Sequence, residues 1–213
     1  IRIGERDRCG VVDRYLGLSS SLFAYLYDLC EAGHLMKVSG GRVDADVVKR
    51  LETVRGSLGQ WKPSPPPDLV ERFTRSEVVG MLAQAKVLRL SALLILHRLR
   101  YPYGQHDKEA LQLSRAITAE IGIALRSTGR SIPCTALPYT IAGFEITEAE
   151  TRAAVVDKID DVVTFSRQSQ LQVRRLLSSV WDARDGGDQI HWFDIGDYVR
   201  QTPSTWADAQ GTT

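Results

Sequence analysis

The fold turns on Met81-Leu82-Ala83-Gln84-Ala85-Lys86-Val87-Leu88-Arg89-Leu90-Ser91-Ala92-Leu93-Leu94-Ile95-Leu96-His97-Arg98-Leu99-Arg100. Met81, Leu82, Ala85, Leu88, Ala92, Ile95, Leu96 and Leu99 recur at helical spacing. From about Asp68 to Arg100 no proline intervenes, and Gly80 is the only glycine. Between Val87 and Leu96 the apolar surface extends nearly all round, which marks a helix buried among neighbours. Tyr101-Pro102-Tyr103-Gly104 ends it, because a residue before proline is pushed out of the helical region.

The segments on either side repeat the same period. Downstream, Asp107 is an N-cap candidate for a helix with the face Ala110, Leu113, Ile117, Ile121 and Leu125, ending near Ser127-Thr128-Gly129. Pro133 and Pro138 bracket a loop, and a short apolar helix covers Tyr139 to Ile146. Thr147-Glu148-Ala149-Glu150 reads as a capping box opening a helix that buries Ala153, Val156, Ile159 and Val163. A last long helix carries Leu171, Val173, Leu176, Leu177, Val180 and Trp181 and stops at Asp185-Gly186-Gly187. Trp192, Phe193, Ile195 and Tyr198 are enough to pack the tail back on the body.

Upstream, Ser19 or Ser20 caps a helix with the face Phe23, Leu26, Tyr27 and Cys30 and a stop at Gly33. Asp44 or Asp46 opens another with Val47, Leu51, Val54 and Leu58, ending near Gly56 to Gly59. Lys62-Pro63-Ser64-Pro65-Pro66-Pro67-Asp68 is extended polyproline-like chain. A semi-rigid linker is one reading of it. A surface loop is favoured, because the residues before it hold few large apolar groups for a core of their own. The expectation is an all-α fold: seven to eight helices in an irregular bundle around a buried central helix, one domain over 1–203 with loop 62–68 inside it, and a frayed polar tail over 204–213.

Composition bounds the function. The chain has 213 residues, 43% hydrophobic and 25% charged, which argues against disorder throughout. Lys+Arg is 27 against Asp+Glu 26, a balance that speaks against a dedicated nucleic-acid module. Cys9, Cys30 and Cys134 are widely spaced without a CxxC, so neither a disulfide framework nor structural zinc is expected, and a reducing compartment fits. No run reaches the roughly 18 to 20 apolar residues of a membrane span, so no membrane partner is expected.

Catalytic patterns are scarce. HExxH, GxSxG and the phosphate-binding GxxxxGK[ST] are all missing. Cys134 lies between two prolines without a local base. Asp157, Asp160 and Asp161 share helical spacing and suggest a magnesium-binding cluster of isoprenoid-enzyme type, against which stands a plain solvated helix face. His97, Arg98 and Arg100 end a deeply apolar helix. They either serve its orphan carbonyls and dipole or rim a pocket between helices.

Five stretches carry a family resemblance. Leu93 to Gly104 (LLILHRLRYPYG) is similar to the "LLLHRLRYPFG" signature of fungal-specific transcription factor domains. Leu137 to Glu145 (LPYTIAGFE) resembles that family's "PLFIAGLEA", Thr147 to Arg152 its "T..E.R", and Val180 to Asp185 with Trp192 its "VW..RD…W". Tyr15 to Leu18, with Ser19 and Leu22-Phe23, resembles its "LGLS..L" segment. The resemblance covers roughly Val12 to Trp192 and implies the later part of a regulatory domain without catalysis. It implies control of transcriptional activation through a small-molecule effector, a protein partner or a homodimer. DNA contact and zinc belong to a binuclear zinc cluster expected upstream of these residues, with no cofactor in this segment. A nuclear location with a cytoplasmic pool follows. The effector pocket is expected between the central helix and the Tyr139 to Phe144 segment, lined by His97, Arg98, Arg100, Tyr101, Tyr139, Phe144 and, less directly, Trp181. An isoprenoid-type enzyme and a protein–protein scaffold are the competing readings.

Overall fold

The computed structural model of the chain describes residues 12 and 16–197. Among them are nine α-helices, one 3₁₀ turn and no strand: α1 (Leu22–Val38), α2 (Ala45–Gln60), α3 (Leu69–Arg72), α4 (Arg75–Arg100), α5 (Asp107–Thr128), α6 (Ala136–Gly143), α7 (Ala149–Asp157), α8 (Ile159–Val162), α9 (Arg167–Asp185) and the 3₁₀ turn Trp192–Asp194. The all-α expectation holds. Seven helices have eight or more residues, and the rest are single turns. Cys9, Tyr15, Tyr198 and the tail 204–213 lie outside the described residues.

α4 is the axis of the bundle. It runs along α5 and also touches α1, α2, α6 and the 3₁₀ turn. Val87, Leu88, Ala92, Leu94, Ile95 and Leu99 are all buried, so the helix is covered on nearly every side over these residues. By length and composition it could cross a bilayer. Its place inside a shell of amphipathic helices is that of a core helix instead. Its start corrects the sequence reading. The helix does not run from Asp68. The chain breaks at Phe73 and restarts at Thr74, whose Oγ1 accepts from the Glu77 amide while the Glu77 carboxylate accepts from the Thr74 amide at 2.8 Å. The capping box of this chain is therefore Thr74-Arg75-Ser76-Glu77. At Thr147 none forms: Glu148 takes the N-cap position of α7 with no side-chain cap.

Other registers shift as well. In α1 the buried face is Leu22, Leu26, Leu29, Ala32 and Met36, while Tyr27 is 65% exposed and Cys30 is exposed. The N-cap is Ser21, and Ser19 is buried with its hydroxyl on the Leu16 carbonyl. Gly33 does not stop the helix. A Cβ there would stand 3.2 Å from Leu99 Cδ2, so the glycine lets α1 lie close on α4. α2 matches expectation, with Asp44 accepting from the Val47 amide at 2.7 Å and Val47, Leu51, Val54 and Leu58 buried. In α5 the buried set is Ala110, Ser114, Ile117, Ile121 and Ala124, with Leu113 and Leu125 half-buried. Asp107 is the first helical residue rather than the cap, and His106 before it has φ 50°. α6 begins ahead of Pro138, which sits in its first turn where no backbone donor is needed. The helix after Glu148 breaks at Lys158, and it buries Val155, Ile159, Val162 and Val163 but leaves Ala153 exposed.

Residues from both sides of the proline-rich segment share one hydrophobic cluster, Leu51 and Leu58 with Val87, Ile117 and Leu177 among them. Leu58→Ala removes a fully buried side chain and is expected to cost about 2–5 kcal/mol. Urea unfolding followed by circular dichroism should show one transition moved as a whole. Two transitions with only one displaced would mean that α1 and α2 carry a core of their own.

Candidate functional site

The polar centre of the molecule is Arg98, on the last turn of α4, with a side chain at 0% exposure. A guanidinium has five N–H donors, and all five are used. Nε donates to Glu145 Oε1 at 2.9 Å and Nη2 to Glu145 Oε2 at 2.5 Å. Nη2 also donates to Asp107 Oδ1 at 2.7 Å. Nη1 donates to the Pro102 carbonyl at 3.1 Å and the Gln105 carbonyl at 2.9 Å. The Glu145 side chain is 1% exposed, so this bidentate pair is shut off from water. Burial acts to lower the Arg98 pKa, but the hydrogen bond and charge of Glu145 outweigh it, and the net shift is upward.

A second arginine closes the charge balance. Arg184 of α9 lies 3.8 Å from Asp107 Oδ2 and donates to the Phe144 carbonyl. Tyr103 lies beneath both cations, its ring centroid 4.6 Å from the Arg98 guanidinium and 5.1 Å from that of Arg184. Burial, then the Glu145 charge, pushes the Tyr103 phenol well above its ordinary pKa against the opposing pull of both arginines. Among the described residues its hydroxyl has no hydrogen-bond partner.

The same place collects the end of α6. The last carbonyls of a helix lack intrahelical partners. Here Ser114 Oγ of α5 donates to the Ala142 carbonyl at 2.7 Å and Trp181 Nε1 of α9 to the Gly143 carbonyl at 2.9 Å. Arg152 Nε of α7 donates to the Ile146 carbonyl at 3.0 Å, while its Nη1 and Nη2 grip Asp185 at 2.5 and 2.8 Å. Arg152 also stands 5.2 Å over the Trp181 ring. The Arg152 hydrogen bond holds the Asp185 carboxyl below its usual pKa against slight desolvation. Gly143 sits at a close approach, since a Cβ there would meet Leu177 Cδ2 of α9 at 2.5 Å and force that side chain to move. The arrangement is a clamp on the C-terminal end of α6, made by α4, α5, α7 and α9.

The residues expected around one pocket separate into groups. α4 and α6 are neighbours, but the charge cluster fills the space at Arg98. Phe144 enters through its carbonyl and Trp181 through its indole N–H, so Arg98, Phe144 and Trp181 are brought together. Arg100 points elsewhere, paired with Glu52 of α2 beside a second cleft of about 310 Å³. His97 and Tyr101 form an aromatic group with His106: the His97 and Tyr101 rings are 5.1 Å apart, those of Tyr101 and His106 4.2 Å. Burial, then the Arg98 charge, lowers the His97 pKa. Tyr139 is buried with its hydroxyl donating to the Val155 carbonyl at 2.8 Å, in the wall of a different cleft of about 240 Å³ between α5 and α7.

The sequence reading missed Glu145, Tyr103, Asp107, Arg152 and Arg184 as site residues. The signal was a glutamate inside the apolar run Tyr139 to Ile146, since a buried carboxylate demands a cation. Asp157, Asp160 and Asp161 are all exposed, divided between α7 and α8, and Asp160 is 3.0 Å from Arg174. No group of three metal-ligating side chains occurs among the described residues.

Comparison with known proteins gives one family. The fungal specific transcription factor domain matches residues 4–204. No curated protein and no solved structure matches the chain.

Glu145→Gln leaves the buried Arg98 cation short of its counter-charge and is expected to cost about 3–5 kcal/mol in urea unfolding. Replacing both partners (Arg98→Met with Glu145→Leu) should recover most of that loss. A loss in the double variant equal to the sum of the two single-variant losses would show that the pair is not coupled. Asp185 has a lowered folded pKa, so its pairing stabilises above the unfolded value and is lost as pH falls through the folded one. Asp185→Asn should flatten that acid limb in a pH series of melting temperatures.

Proposed function

The chain belongs to the fungal specific transcription factor domain family, and we propose that its helices form the regulatory part of such a factor, restraining or releasing activation in response to an effector or a protein partner. In this reading the module acts in the nucleus. A zinc cluster elsewhere in the same polypeptide makes the DNA contact and holds the only zinc. The balance of 27 basic and 26 acidic residues supports a segment that does not itself grip a phosphate backbone.

The observation behind this reading is the position of α6. Its C-terminal end is held by the Arg98–Glu145 cluster and by donors from three further helices, while Tyr139 in its middle faces the cleft beside α5. One short helix therefore touches both a cleft and the charge centre that fixes the bundle. A ligand regulates only by binding one packing of the helices better than another, and couplings of about 1–3 kcal/mol are usual. A short helix tied at one end to a buried ion network suits that role, because coupling between sites is carried by such networks and rigid elements where they have two discrete arrangements.

The test is a reporter assay in yeast. The chain is inserted between a heterologous DNA-binding domain and an activation domain. The unmodified insert should lower reporter output several-fold relative to the fusion without it. Arg98→Met with Glu145→Leu, which keeps the core filled but removes the buried ion pair of the clamp, should change that restraint at matched protein abundance. Output equal to the insert-free fusion for both folded inserts would contradict a regulatory role.

A further inference from the structure

We propose that the cleft between α5 and α7 is a binding site for a small amphipathic carboxylate, an apolar body of medium chain length carrying one acid group. The floor of the cleft is apolar, made by Ile121, Tyr139, Val155 and Val162, all buried. Its volume of about 240 Å³ lies just below the roughly 300–1,000 Å³ of common ligand pockets, which restricts it to a small ligand.

Two features separate this cleft from an ordinary surface groove. The first is Gly122, which lines it in the middle of a 22-residue helix. Glycine there disfavours the helix by about 0.5–1 kcal/mol relative to alanine. Among the described residues no backbone of another element approaches it: beyond the local helix backbone, the one atom within 4 Å of a Cβ built at Gly122 is Arg126 Nη1, at 3.3 Å. Packing of a neighbouring element does not require the glycine, and its missing side chain keeps the wall open.

The second feature is charge. Arg115 and Lys158 line the cleft, and Arg126 lies over Gly122. Arg115, Gly122 and Arg126 share one face of α5, at spacings of seven and four residues. No carboxylate forms an ion pair with any of these three cations among the described residues, whereas Lys86, Arg98, Arg100, Arg152, Arg174 and Arg184 all have one. Two acids oppose them. Glu148 lines the cleft with its carboxylate accepting from the Thr151 hydroxyl, and Asp161 acts on Tyr139. The cations remain in excess. An apolar floor beneath a rim of unpaired cations matches a ligand with a buried tail and an exposed acid group.

The proposal rests on the regulatory reading above and gives it an effector class. Its test is a direct binding measurement, independent of transcription. Isothermal titration of the full chain with decanoate should show saturable one-to-one binding, and decyltrimethylammonium should show none. Gly122→Leu should abolish decanoate binding while keeping the melting temperature. Lys158→Glu should weaken it about tenfold or more. If Gly122→Leu fails to fold, Ala154→Phe on the α7 side of the same cleft applies the same block. Absence of saturable decanoate binding, equal binding by a folded cleft-filling variant, or equal binding of the cationic amphiphile would each overturn the site. Those outcomes leave the reporter response of the clamp variant intact as the test of regulation. Decanoate binding with an unresponsive reporter would uphold the site and remove its regulatory meaning.

Discussion

The Arg98–Glu145 pair is the constraint on which the other contacts are arranged. Bringing two ions out of water costs several kcal/mol each, and their attraction offsets this only when geometry is good and every remaining donor is satisfied. Here the guanidinium makes five hydrogen bonds, and Asp107 and Arg184 bring the cluster to two positive and two negative charges. Such a pair adds little net stability compared with apolar side chains of similar volume. What it adds is a demand on geometry. α4 must end where Pro102 and Gln105 turn their carbonyls back to Arg98, α5 must start at Asp107, and α6 must finish where Glu145 reaches inward. The aromatic floor of Tyr103 and the caps from Trp181, Arg152 and Arg184 follow from the same placement.

Seen this way, four of the five stretches that resemble the fungal family are parts of one joint. Arg98 and Tyr103 come from the first, Gly143 and Glu145 from the second, Arg152 from the third, and Trp181, Arg184 and Asp185 from the last. They lie far apart in sequence and meet around the end of a single eight-residue helix. The joint holds the bundle together, while the cleft between α5 and α7 lies apart from it, against the middle of α6. That separation lets a ligand act on α6 without entering the charge cluster.

Much of this was legible in the sequence. α2, α5 and α9 each have a dominant apolar stripe and α4 is apolar nearly all round, so their existence and most of their buried faces could be read from spacing. α1 could not be read so simply. Leu22, Phe23, Leu26, Tyr27, Leu29, Cys30, Leu35 and Met36 offer overlapping stripes, and contact with α4 and α2, not local preference, decides that Tyr27 and Cys30 face outward. Thr74 and Thr147 both precede an acidic residue three positions on. Only Thr74 forms the capping box, because the helix after Thr147 starts one residue later, with Glu148 in the N-cap position. The polar residues at the end of α4 were recognised, but their partner was not, since nothing local links Arg98 to a glutamate 47 residues away.

The measurement closest to the central claim is the side-chain NMR signal of Arg98. In a ¹H–¹⁵N spectrum of the arginine Nε–H groups, a buried bidentate pair predicts one resonance shifted away from the exposed arginines, slow to exchange with water and absent in Arg98→Met. A spectrum in which the Arg98 Nε–H exchanges as fast as that of Arg115, and overlaps it, would mean that the pair is open to solvent and that the bundle does not hinge on it.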